Sequence, residues 1–386
     1  MKYQRLFLPV VALLTCTPQI GRNSANSALQ EKCSCKAEGA WNQDYEGPPS
    51  ENGGLSPRVV RMSNVAGTQV IEVDVEVVDA TKGLTRRTLS TKDGGHTWVA
   101  KSTRSVDARE FWQGDVGYQT PIADRRLNRS FNGGLNWDPA ALRVDGMTSR
   151  EFASHITGKD GSNLEFQIAA IHPRNPRTVF ACFAIRTASN TDYAGMYVST
   201  DAGDNWKLFS REAKEPGPDG SCVLGISPSD PNVMVTHGST GPVISRDGGV
   251  TWTAVGQQSA LEAPVSLRDQ GLSHSAATNA RGQDEARPFE WTYLKLAQIE
   301  FDPDQENTIY LVSNKGLFVS FDGANHWCLA SLPTTTLFDT ESLYIDPSDS
   351  SRLFLGTREK LFVSRDFGCH FNIFFDPRST GLTFTR

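Results

Sequence analysis

The chain has 386 residues, 38% of them hydrophobic, with 33 Gly, 20 Pro, 8 Trp and 20 Phe. That apolar fraction excludes a disordered chain, and length alone argues for two to three domains. Its 38 basic and 44 acidic residues leave a net charge of −6, without the basic excess that nucleic acid demands; beyond the N-terminus no apolar run reaches the ~18–20 residues of a transmembrane helix.

Lys2 and Arg5 precede the apolar stretch Leu6 to Leu14. A basic start followed by about ten apolar residues reads as a secretory signal, too short to span a bilayer. Leu13-Leu14-Thr15-Cys16 has the outline of a lipoprotein cleavage box, which would put a lipid anchor on Cys16, although Thr15 is larger than the small residue usual there. Residues 17–56 are polar and irregular, with Pro48-Pro49 and Gly53-Gly54 near their end, and read as a linker. The expected organisation is a signal over 1–16, a linker over 17–56 and a folded unit over 57–386. The expected compartment is extracytoplasmic: secreted, periplasmic or surface-attached.

Once Cys16 leaves with the signal, Cys33, Cys35, Cys182, Cys222, Cys328 and Cys369 remain. An even number in an exported chain permits disulfides. Cys33-x-Cys35 has no second pair of Cys or His at zinc spacing. Neither a metal nor a cofactor is expected.

In the first strand-rich region Glu72, Asp74 and Glu76 alternate with Ile71, Val73, Val75 and Val77. Period-2 geometry puts three carboxylates on one face, a pattern that marks a solvent face or a protected edge more often than a catalytic pair. Six segments from here onward share the pattern Ser/Thr-x-Asp-x-Gly-x-x-Trp: Thr91 to Trp98, Ser130 to Trp137, Ser199 to Trp206, Ser245 to Trp252, Ser320 to Trp327 and Ser364 to Phe371. Their acceptors are Asp93, Asn132, Asp201, Asp247, Asp322 and Asp366. An Asp flanked by Gly suits a tight hairpin whose carboxylate accepts turn N–H groups, and Gly supplies the positive φ. These acceptors are structural, not catalytic.

A second element precedes the later copies, at His172-Pro173, Ser227-Pro228, Asp302-Pro303 and Asp346-Pro347. Two β-rich runs lie between each Pro and its turn, a third precedes the Pro and a fourth follows the turn. Four short strands per repeat, from Pro303 to Pro347 for example, form the signature of a propeller blade. The prior of several domains yields to one all-β unit.

On these motifs the chain resembles the Asp-box, or BNR-repeat, β-propellers, a superfamily of sialidases, xyloglucan hydrolases and sortilin-type receptor domains. The resemblance covers roughly Pro57 to Arg386. It implies a six-bladed β-propeller of four-stranded antiparallel blades, with a seventh blade allowed by the long intervals Ser130 to Ser199 and Ser245 to Ser320. Paired disulfides Cys182–Cys222 and Cys328–Cys369 fit that arrangement of blades.

In such a blade the Pro turn and the Asp turn share one end of the disc, and the remaining connections share the other. Extra sequence falls only at that other end, at Arg186 to Gly195, Asp138 to Asn163 and Thr253 to Trp291. Variable loops on a rigid scaffold are where binding resides. Inner strands enter from that face, which nominates Glu165, Lys295, Asp339 and Glu341 at the mouth, with Tyr193, Arg281, Arg287 and Trp291 from the loops. Carboxylates, cations and an aromatic platform suit sugars or peptides.

The resemblance to sialidases implies three Arg gripping a carboxylate, a Tyr with a Glu partner and an Asp acid. Arg58 or Arg61 matches the first position, but the Ile-Pro that follows in the family is absent; Tyr344 stands deeper than the nucleophile should. The leading expectation is a non-catalytic propeller that binds a protein or carbohydrate ligand. The alternative is a glycoside hydrolase of the sialidase-like or xyloglucanase-like type, with Asp339, Glu341 or Glu165 as its carboxylates.

Overall fold

The β-branched and aromatic runs around each turn form strands in the computed structural model, which describes residues 57–65, 68–79, 83–105, 108–121, 126–158, 163–186, 191–210, 222–238, 241–255, 294–325, 327–330 and 340–377. The segments expected to be signal and linker therefore lie outside the described residues.

Each blade is an antiparallel meander of one contiguous run. The first holds β1 (Pro57–Val65), β2 (Thr68–Asp79), β3 (Gly83–Thr91) and β4 (Val99–Ser105); the second holds β5 (Ala108–Gln113), β6 (Val116–Pro121), β7 (Asn128–Ser130) and β8 (Asp138–Pro139). After β9 (Arg143–Val144), β10 (Met147–Thr148) and helix α1 (Ser149–Thr157) comes the third, β11 (Asn163–Ile171), β12 (Val179–Arg186), β13 (Thr191–Ser199) and β14 (Asn205–Ser210). The fourth is β15 (Leu224–Ile226), β16 (Met234–Gly238), β17 (Gly241–Ser245) and β18 (Thr253–Ala254). The fifth is β19 (Leu296–Phe301), β20 (Ile309–Ser313), β21 (Gly316–Ser320) and β22 (Cys328–Leu329). The sixth is β23 (Thr340–Ile345), β24 (Leu353–Thr357), β25 (Leu361–Ser364) and β26 (Asn372–Phe375). First strands touch one another around the ring, β1 to β23, β23 to β19, β19 to β15, β15 to β11 and β11 to β5, so they line the axis. The result is a six-bladed propeller.

Its apolar cores lie between blades. One cluster joins the second and third blades around Tyr118, Phe183 and Trp206. Others join the third to the fourth around Phe180 and Met234, and the fourth to the fifth around Val235, Phe301 and Trp327. The fifth and sixth meet at Tyr310, Leu317 and Phe362. The sixth meets the first through Phe354, Phe375, Val73 and Leu89, and among the described residues no strand crosses from one of these blades to the other.

Two expected loops are built otherwise. The stretch after Asp138 forms a β9–β10 ribbon on the outer edge of the third blade, with β9 parallel to β14, and then α1. Thr148 and Glu151 close a capping box at the start of α1, and Gly158 (φ 63°) ends it. The short outer strands of the second blade leave an apolar side of the third uncovered. Buried Phe152 and Ala153 fill it, with the Phe152 ring edge-on to Tyr197 at 5.8 Å. The Arg186 to Gly195 insertion is likewise mostly strand: β12 and β13 stay paired up to Arg186 opposite Thr191.

Candidate functional site

Every repeated turn starts from a buried hydroxyl: Thr91, Ser130, Ser199, Ser245, Ser320 or Ser364. It donates to the acidic or amide side chain two positions on at 2.8–3.0 Å. It accepts the N–H four positions on at 2.8–2.9 Å. The carboxylate in turn accepts a later N–H, as Asp247 does from Thr251 at 2.9 Å, and Asn132 keeps that role from Asn136 at 3.0 Å. Two successive residues in each turn have positive φ, and Ala202, Ala324 and Phe367 occupy such positions without the freedom of glycine.

These bonds set the charges. Hydroxyl and backbone donors of Thr251 hold Asp247 down at about 2, and the same donors of Thr97 lower Asp93 further. At Asp201 and Asp366 burial raises the carboxyl, yet the donors of Asn205 and His370 outweigh it and the net shift is downward. Asp247 itself is exposed. The buried polar atom of the turn is the Ser245 hydroxyl, and the carboxylate caps the turn from its water side.

Both turns of a blade do share one end. The N–H of Gly133, Ala202, Gly248, Gly323 and Phe367 donates to a carbonyl of the strand one-to-two connection, on Asp115, Arg177, Asn232, Asn307 and Ser351, at 2.8–3.0 Å. A shallow groove of about 270 Å³ on this face, beside the sixth turn, is lined by Val363, Arg365, Asp366, His370 and Asn372. The His370 imidazole meets Asp366 at 2.7 Å.

At the opposite end, Glu165 lies near the start of β11, Lys295 precedes β19 and Glu341 lies in β23. Lys295 and Glu341 thus belong to neighbouring inner strands, whereas Glu165 stands three blades away from Glu341, across the axis. Lys295 is exposed, and its backbone is pinned by Asn314 through a 2.8 Å bond to the side chain. Glu341 pairs with Arg358 at 3.3 Å. Tyr193 lies in β13 opposite Ala184, with its side chain outside the described residues. Asp339, Arg281, Arg287 and Trp291 also lie outside them.

Some polar groups escaped the sequence reading. The Gln298 side chain bonds both main-chain groups of Leu343, at 2.8 and 3.0 Å, tying β19 to β23, and donates to Glu300 at 2.7 Å. Burial pushes the Glu300 carboxyl up. In the carboxylate stripe of β2 the Glu76 side chain lies outside the described residues, and Glu72 and Asp74 are not a solvent face because basic and hydroxylic side chains meet them. Asp74 is buried, accepts from Thr88 at 2.6 Å and pairs with buried Arg86 at 3.4 Å, while Glu72 pairs with Lys101.

Cys182 and Cys222 form a disulfide between the third and fourth blades. Cys369 is disulfide-bonded as well, and the side chain of Cys328, its expected partner, lies outside the described residues. Among the described residues no cluster of His, Cys, Asp and Glu is arranged for a metal ion, and no helix is long and apolar enough to cross a membrane.

No protein-family model and no curated protein matches this chain. Among solved structures it is similar to an ancestral GH74 enzyme, at 16% identity and a TM-score of 0.38 over 65% of this chain and 28% of that one. It is also similar to the extracellular domain of a hybrid two-component system from B. thetaiotaomicron, at 9% identity and a TM-score of 0.41 over 82% of this chain and 38% of that one. The chain thus spans well under half the length of either.

Proposed function

We propose that this chain is an exported Asp-box propeller that binds a protein or glycan ligand, without catalysis, through the face opposite its six turns. The contrast between the two ends carries this reading. The turn face is tied in five blades by the same N–H bond between adjacent turns. Connections that exceed a repeat, such as those from Ser210 to Leu224 and from Ala254 to Leu296, leave and re-enter at the other face. Lys295 stands there exposed, and Tyr193 from β13 with Arg281, Arg287 and Trp291 are the residues proposed to join it. A disulfide between blades fits an oxidising compartment and supports export, with a signal over 1–16, a linker over 17–56 and the propeller over 57–386.

Hydrolysis would need two carboxylates facing each other across ~5–9.5 Å, one of them kept protonated as the acid. Glu341 is engaged by Arg358, and Glu165 lies across the axis from it, which favours binding. Screening the purified protein on a glycan array, with a parallel pull-down from the native envelope fraction, tests the reading. A ligand whose binding falls in Lys295→Glu supports it. Release of reducing sugar that disappears in Glu341→Gln or Asp339→Asn overturns it.

A further inference from the structure

We infer that the turn face carries a separate glycan-binding platform, built on Trp112 at the seam between the first and second blades. The second blade lacks the Pro turn. Its β5–β6 connection is a two-residue hairpin through Gly114 (φ 60°) and Asp115, so this corner is lower than in the later blades. Strand alternation sends Phe111 and Tyr118 into the apolar cluster shared with the third blade. Trp112 and Glu110 therefore turn the other way, toward the first blade.

The Trp112 ring is held rigidly. A Cβ added at Gly117 or Gly134 would come within 2.4 or 3.0 Å of it, so the indole rests on two bare glycines as a floor. Trp137 meets it edge-on at 5.4 Å and 69°. The indole N–H points to the Glu110 carboxylate at 3.5 Å. Trp112 is nevertheless 41% exposed, an aromatic side chain left partly in water while packed on its own blade.

The neighbourhood selects the occupant. Phe131 is also exposed, but the Arg177 guanidinium stands over its ring at 4.8 Å. That leaves the Trp112 face with Leu135 beside the turn, far less apolar area than the ~800 Å² per partner of a stable protein interface. On the first blade Asp74 is paired with Arg86 and Glu72 with Lys101, so these charges are matched in sign and present no net charge to an ionic ligand. A flat indole with a carboxylate at its edge suits a neutral pyranose: the axial C–H groups meet the negative face of the ring, and hydroxyls donate to Glu110. This site is independent of the loop-face reading above.

The test titrates the full chain with neutral cello-, xylo-, manno- and malto-hexaoses, followed by calorimetry and tryptophan fluorescence. At least one should bind. Trp112→Ala should weaken that binding by about tenfold or more, and Trp112→Phe should retain part of it. In the unmutated protein the bound sugar should slow oxidation of Trp112 by N-bromosuccinimide, read by mass spectrometry, which keeps the test valid if Trp112→Ala fails to fold. No binding of any hexaose overturns the inference. So does binding that survives in folded Trp112→Ala, or a dimer in sedimentation that Trp112→Ala dissolves, which would make a second copy the occupant.

Discussion

Cys182 on β12 and Cys222 just ahead of β15 are bonded across the seam between the third and fourth blades, with their Cα atoms 5.9 Å apart and a sequence separation of 40. Cross-linking a loop of that length removes unfolded-state entropy worth roughly 2–4 kcal/mol. Cys222→Ser should therefore lower the unfolding free energy by about that amount, read as a shift in the guanidinium midpoint with unchanged slope. Peptide mapping without reductant should also recover Cys369 joined to Cys328. Recovery with another cysteine would refute that pairing.

The turns divide their load unevenly between hydroxyl and carboxylate. Ser245→Ala leaves the buried N–H of Gly249 without its acceptor and should cost about 1–3 kcal/mol. Asp247→Ala acts from the solvent side and should be milder. Neither should alter ligand binding by the folded protein. Loss of binding with intact stability would make the turn a functional site.

Gly249 is irreplaceable for two reasons. Its φ is 87°, and an added Cβ would come within 2.2 Å of the Phe209 ring from the preceding blade. Gly249→Ala should cost more than about 2 kcal/mol, from left-handed strain together with overpacking. A thermal melt within a degree or two of the parent would contradict this account of the turn.

Acid should unfold the protein through the turn carboxylates. Asp93, Asp201, Asp247 and Asp366 have folded pKa values below their ordinary value of 3.8. Their contribution is therefore complete above about pH 4 and is lost as pH falls toward 2, where the unfolded chain holds more protons. Glu300 and Asp302, raised by burial, oppose this by taking up protons earlier in the folded state. Urea midpoints between pH 5 and pH 2 should fall, and less steeply in Asp247→Asn, which copies the amide that already stands at Asn132. An unchanged slope would show that Asp247 contributes nothing to the acid limb.

What the sequence could disclose was what each residue does locally. Ser245, Asp247, Gly249 and Trp252 each act within one turn, so their spacing alone carried the turn and, through its repetition, the blades. The role of α1 is not local: Thr148 and Glu151 spell a capping box, but the need for Phe152 arises from the shortness of β7 and β8, which spacing does not reveal. Asp74 failed for a related reason. Its partners Arg86 and Thr88 sit across the sheet on the next strand, so a carboxylate within a stripe of like charge looked wet when it was neutralised and buried. The mouth residues fared least well, since Glu165, Lys295 and Glu341 are placed by strand register and their partners come from turns, as Arg358 does for Glu341.

The closure of the ring has a mechanical consequence. Among the described residues the sixth and first blades meet through side chains such as Phe375 and Val73 and through the Pro57 backbone beside Gly356, whereas the third and fourth are covalently joined. Parting the former pair breaks no ladder hydrogen bond and leaves every sheet whole. Opening there would be a rigid-body gaping of the ring, like a clasp, resisted by the apolar layer of Val73, Leu89, Phe354 and Phe375.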